Sequence, residues 1–188
     1  MVKRIAIFAS GNGTNAENIC KYFEDSKSVD VVLLLSNNKN AGVLKKVNSF
    51  NLDCVVFSKT EMNCSSLIEN LLSKHSINLI VLAGFLLKIP QKIIDLYENK
   101  IINVHPSLLP KYGGKGMFGL NVHRAVLDNN ESFSGVTFHY VNAGYDEGKI
   151  IHQEKCIVTK NETPYSLQQK ISRLEIAFFP IIIEKILK

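Results

Sequence analysis

Asn103 and His105 stand two positions apart in Ile101-Ile102-Asn103-Val104-His105-Pro106-Ser107-Leu108-Leu109-Pro110. The apolar run before them reads as the end of a strand, whose period of two puts both side chains on one side. An asparagine amide there can donate an N–H to a developing oxyanion. An imidazole can give or take a proton near neutral pH. A lone histidine in such a place would be read as a core residue, so the pair needs company.

A second polar group supplies it. Thr137 and His139 alternate along Gly135 to Val141, and Asp146 follows in the glycine-flanked segment Asn142 to Gly148. A carboxylate beside a histidine favours the imidazolium and can relay a proton. By itself Asp146 is equally a turn residue, because Asp and Gly favour turns.

A third candidate is the loop Ser10-Gly11-Asn12-Gly13-Thr14-Asn15-Ala16. Gly11, Gly13 and Ala16 fit the loose form G-x-G-x-x-G/A, in which small residues let backbone N–H groups approach an anion at a helix start. A plain strand-to-helix turn with a Thr14–Glu17 capping box is the structural alternative. A dinucleotide fits poorly, since the second strand ends in Leu35-Ser36-Asn37-Asn38 with no carboxylate for a ribose diol. No GK[ST] follows to make an NTPase loop. A single phosphate fits better.

Short apolar runs alternating with amphipathic stretches must position these groups. Lys3–Ala9, Val31–Leu35, Cys54–Phe57, Leu79–Ala83 and Ile101–Val104 read as strands. Asn15–Phe23, Asn40–Phe50, Ser65–His75, Pro90–Tyr97 and Asn121–Leu127 read as helices. Gly135–Val141 and Lys149–Val158 read as an antiparallel pair, and Pro164–Lys188 as a long helix containing Pro180. The expected fold is α/β: a doubly wound, mostly parallel sheet with an antiparallel C-terminal strand pair and a long C-terminal helix. Its ligand site belongs beyond the strand ends at Ala9, Ala83 and Val104.

The chain of 188 residues is 46% hydrophobic and 21% charged, which excludes a disordered or low-complexity protein. One domain over residues 1–188 is expected. The net charge is +5, from 22 Lys and Arg against 17 Asp and Glu. The basic residues are scattered, so an anionic small substrate is favoured over nucleic acid. Cys20, Cys54, Cys64 and Cys156 form no CxxC pair and read as small, reduced core residues, and no metal site is expected. The apolar run after Lys3-Arg4 is too short for a signal peptide, and none approaches the ~18 residues of a membrane span. A cytoplasmic protein is expected. His75 reads as a helix-end residue, and His123 and His152 as a helix-face and a strand residue with no role.

Four segments occur in an order and at separations that mark a family: the Ser10–Asn15 loop, Leu82-Ala83-Gly84-Phe85, Asn103–Pro110 and Val136–Gly148. Over essentially its whole length the chain resembles the folate-dependent formyltransferases, and within them the members that formylate glycinamide ribonucleotide in purine synthesis. The resemblance implies a Rossmann-like formyltransferase fold, with 10-formyltetrahydrofolate as formyl donor and the ribonucleotide amine as acceptor. It implies that Gly13, Thr14 and Asn15 hold the substrate phosphate, and that Glu175 contacts the ribose. It makes Asn103, His105 and Asp146 the catalytic trio. Leu86, Leu87, Lys88 and Ile89, with Asn142, Ala143, Gly144, Tyr145 and Asp146, would line the folate pocket beside Asn103.

The chain departs from the family pattern in two places. The connection from Lys111-Tyr112 to His123 is expanded to Gly113-Gly114-Lys115-Gly116-Met117-Phe118-Gly119-Leu120. A basic folate-contacting residue has no clear match after Phe57, and Lys59 is the candidate.

The implied chemistry is direct attack by a neutral amine through a tetrahedral carbon, needing no metal and no covalent enzyme intermediate. The substrates are small molecules, and the chain would act as a monomer or homodimer without nucleic acid or membrane. The nearest rival is a formyltetrahydrofolate deformylase, with water as acceptor. That enzyme usually carries an extra N-terminal domain, whereas the first strand here begins at residue 2 or 3. Methionyl-tRNA formyltransferase normally adds a C-terminal RNA-binding domain. A non-catalytic nucleotide-binding module would explain the glycine loop alone.

Overall fold

A computed structural model describes residues 1–64 and 66–188, apart from the side chain of Cys64. Seven strands form one sheet in the order β3-β2-β1-β4-β5-β6-β7. The strands are β1 (Lys3–Phe8), β2 (Val29–Ser36), β3 (Asp53–Val56), β4 (Leu79–Leu82), β5 (Ile101–His105), β6 (Phe133–Tyr140) and β7 (Ile150–Ile157). β1 to β5 pair in parallel, while β6 is antiparallel to both β5 and β7. The doubly wound sheet with its antiparallel C-terminal pair is the architecture anticipated from the sequence.

The central strands are apolar on both faces because both are covered. In β1, Ile5 and Ile7 enter one core with Leu34, Val81, Phe138 and Phe179. Ala6 and Phe8 enter the other with Leu33, Leu35, Ile80 and Leu72. Ile5, Ala6, Ile7 and Phe8 are all fully buried, which is what continuous apolar runs in a parallel sheet require. The first face carries α1 (Thr14–Phe23), α2 (Gly42–Lys46), α6 (Leu120–Asp128) and α7 (Pro164–Leu187). The second carries α3 (Lys59–Cys64), α4 (Leu67–Lys74) and α5 (Gln91–Leu96).

Several boundaries differ from expectation. α2 covers Gly42–Lys46 rather than residues 40–50, because Phe50 N–H turns back to Val47 O in a segment rich in Asn and Ser. α3 was not anticipated, although its start is written in the sequence. Ser58 N–H donates to Glu61 Oε2 at 2.7 Å and Glu61 N–H to Ser58 Oγ at 3.1 Å, a capping box. The proposed start of α4 at Ser65 lies outside the described residues. α7 begins at a Thr163–Ser166 capping box, with Pro164 in its first turn and Pro180 buried inside it.

The cysteines are a partial correction. Cys20 is core, and burial raises its thiol to about 12. Cys54 is exposed because β3 is the edge strand, and Cys156 is only half-buried. The Cys64 side chain lies outside the described residues. Among the described residues no helix is long and apolar enough to cross a membrane.

Candidate active site

The order of strands reverses between β1 and β4, and the site opens beyond their carboxyl ends. Buried Ser10, just past β1, joins the loops there. Its N–H donates to Gly84 O at 3.2 Å, and its hydroxyl donates to Asn37 Oδ1 at 2.6 Å. The same oxygen accepts the Leu86 N–H at 2.9 Å. One side chain thus ties together the exits of β1, β2 and β4.

The loop enters α1 through Gly13, the N-cap, at φ 81. A Cβ there would lie 2.4 Å from Val43 Cβ, so α2 packs where only glycine fits. No Thr14–Glu17 capping box forms. Glu17 instead pairs with Lys21 and Lys46, at 2.7 and 3.5 Å. The first N–H groups of α1 therefore keep their capacity to meet an anion.

β5 delivers Asn103 and His105 to the site, and β6 pairs Asn103 with His139 across the strands. His105 Nε2 lies 2.8 Å from Tyr112 O, and its Nδ1 lies 3.4 Å from Asp146 Oδ2. Both ring nitrogens face acceptors, a surrounding that only the doubly protonated ring meets in full. Asp146 adopts a left-handed φ of 57, and its Oδ2 also accepts the Gly114 N–H at 2.9 Å. The 113–120 connection thus bonds directly to the carboxylate through Gly114.

His139 was missed as a site residue. Its Nδ1 lies 2.9 Å from Tyr140 O, an acceptor, so Nδ1 carries the proton. Nε2 is left to accept from Asn103 Nδ2 at 3.1 Å, and lies 3.6 Å from Asp146 Oδ1. Burial lowers the His139 pKa, in keeping with that neutral ring. The signal was the Thr137–His139 alternation; what sequence lacked was the register that sets His139 opposite Asn103. His123 was assigned no role, yet it is buried, lines the cleft and has an Nδ1 with no hydrogen-bond partner among the described residues. Desolvation, with a smaller contribution from His105, lowers its pKa to about 4.

These groups surround a single cleft of about 910 Å³. Asn12, Thr14, Asn15 and Glu175 line one part of it. Leu86 to Ile89, with Val141, Asn142, Gly144 and Tyr145, line another. Asn103, His105 and Asp146 line the same cleft. That volume is near the upper end of the ~300–1,000 Å³ usual for small-molecule sites. Asn15 Nδ2 donates to Glu175 Oε2 at 2.6 Å, and burial of Glu175 raises its pKa despite that bond.

Three expected site residues do not line the cleft. Gly13 packs against Val43. Ala143 is exposed in the turn. Lys59 is exposed on the first turn of α3, inside the Ser58–Glu61 capping box. Lys88, by contrast, is in the lining, with its ammonium 5.4 Å from the centre of the Tyr145 ring. Among the described residues no group of three His, Cys, Asp or Glu is arranged to hold a metal ion.

A glycine loop at the β1–β4 switch point and a strand-end Asn/His pair facing an Asp thus lie at one cleft. The chain belongs to the formyl transferase family, which it matches over residues 3–183. Within that family it is similar to phosphoribosylglycinamide formyltransferases. The chloroplastic protein of Arabidopsis thaliana is 37% identical over 175 residues, covering 90% of this chain and 60% of the relative. The Bacillus subtilis protein is 31% identical, covering 99% of this chain and 95% of its own. The chain spans about 60% of the length of its plant relatives. The crystal structure of glycinamide ribonucleotide transformylase 1 from Geobacillus kaustophilus superposes with a TM-score of 0.90, at 31% identity and full coverage of both chains.

Proposed function

We propose that the chain transfers the formyl group of 10-formyltetrahydrofolate to the amine of glycinamide ribonucleotide in purine biosynthesis, as one formyltransferase domain over residues 1–188. The observation that carries this reading is the His105–Asp146 contact of 3.4 Å, in a cleft that Asn103 also lines. The same cleft reaches the α1 N-terminus and Glu175. The fold alone would support other functions; the site supports this one.

Thr14, Asn15 and the backbone at Gly13 hold the phosphate, and Glu175 receives the ribose hydroxyls. The aliphatic side chains of Leu86, Leu87 and Ile89 and the ring of Tyr145 suit a flat folate ring. The exposed backbone of Asn142 to Asp146 suits its polar edge. The folate donor supplies an activated formyl carbon. The neutral amine attacks it, and negative charge develops on the formyl oxygen. Asn103, turned by His139, donates an N–H to that oxygen, and the His105 imidazolium faces it from the neighbouring position. A donor of this kind contributes roughly 2.7–4 kcal/mol. Asp146 holds His105 and passes the proton lost by the amine to the departing folate nitrogen. Acid–base help of this kind contributes about 10²–10⁴-fold. The protein acts on these small molecules in the cytoplasm, as a monomer or homodimer.

The test follows formyl loss from 10-formyltetrahydrofolate spectroscopically, with and without glycinamide ribonucleotide. Loss that requires the ribonucleotide is expected. Loss without it makes the chain a deformylase, and no loss in either case makes it a binding module.

A further inference from the structure

The residues assigned to the phosphate carry no cation, although a phosphate monoester is close to a dianion at neutral pH. α2 supplies one from the back of the loop. Val43 N–H donates to Gly11 O at 3.1 Å, and Gly13 packs against Val43 where no Cβ fits. This docking places Lys46, the last residue of α2, at the first turn of α1. Lys46 Nζ donates to Thr14 Oγ1 at 3.3 Å and lies 3.5 Å from Glu17 Oε2. Its side chain is only 31% exposed.

The consequence lies in the hydroxyl. A threonine oxygen that accepts from an ammonium has its own O–H left to donate. Thr14 lines the cleft, where an acceptor would be. Glu17 is also in this first turn and would repel an anion there, but Lys46 and Lys21 both neutralise it.

We infer that Lys46 is a positioning residue of the phosphate end of the cleft: it directs the Thr14 hydroxyl toward the phosphate, offsets Glu17, and so makes the site select a phosphorylated acceptor over its dephosphorylated counterpart. This rests on the reading of the cleft given above. Charge-assisted contacts of this strength correspond to about tenfold in affinity.

The experiment compares wild type, K46M and K46R with glycinamide ribonucleotide and with the riboside lacking the phosphate. K46M is expected to raise KM for the ribonucleotide about tenfold, with the loss on KM rather than kcat. K46R restores most of it, and KM for the riboside is the same in all three proteins. An unchanged KM for the ribonucleotide, or an equal rise for the riboside, overturns the inference. If wild type transfers no formyl group to either acceptor, the functional reading fails separately. Calorimetric titration with inorganic phosphate then decides: weaker binding by K46M than by wild type and K46R supports the role, and equal binding removes it.

Discussion

Asn15 Nδ2 donates a 2.6 Å hydrogen bond to Glu175 Oε2, joining the first turn of α1 to α7 across 160 residues of sequence. The amide of Asn15 therefore does not simply face a phosphate. It holds a half-buried acid in place, while its own Oδ1 is buried with no hydrogen-bond partner among the described residues. This bond joins the parts of the cleft that the proposed function assigns to the phosphate and to the ribose.

Replacing Asn15 by Ala takes away the donor that Glu175 has from α1. KM for the ribonucleotide should rise by about tenfold, since a lost bond to a charged group costs about 1.5–3 kcal/mol. Steady-state kinetics with varied ribonucleotide checks this, and an unchanged KM removes Asn15 from the binding surface.

The desolvated carboxyl of Glu175 also makes stability depend on pH. Its folded pKa lies above the ordinary glutamate value of 4.5, because burial outweighs the Asn15 bond. The folded state then binds more protons than the unfolded state between the two values. Stability should be full below about 4.5 and fall as pH rises through the elevated folded value. Glu175→Gln should flatten that part of the curve. Thermal melts of both proteins from pH 4 to 8 read it directly.

His123 acts in the opposite sense. Its folded pKa of about 4 lies below the ordinary 6.5, so the unfolded chain takes up the proton first. Stability should be full above about 6.5 and fall as pH drops toward 4. The ring should be neutral in histidine NMR titrations at pH 6. A His123 signal titrating near 6.5 would contradict the burial seen here.

Asp146→Asn keeps the shape of the carboxylate and removes its charge. Turnover should fall by about 10²-fold or more, with KM for the ribonucleotide near normal. Loss of affinity with turnover intact would mean that Asp146 binds substrate rather than serving His105.

Gly13→Ala meets Val43 at 2.4 Å and must also hold a φ of 81. Overpacking and left-handed backbone together should cost at least about 2 kcal/mol. Tm should fall by roughly 4–8 °C. Adding Val43→Ala should restore only the part due to the clash, because the backbone strain persists.

Much of this architecture was written in the chain. The doubly buried strands follow from unbroken runs such as Ile5 to Ala9, and α4 from the spacing of Leu67, Ile68, Leu71 and Leu72. Asn103 and His105 share a side because a strand alternates. Those are local consequences of period and residue type, which neighbouring residues settle among themselves. Three further features needed tertiary structure. His139 faces Asn103 only because β6 pairs with β5 in one register. Lys59 stands on the first turn of α3, outside the lining of the cleft. Lys46 reaches Thr14 because α2 docks on a glycine. Each depends on contacts between segments distant along the chain, and no local pattern encodes the register or docking that brings them together.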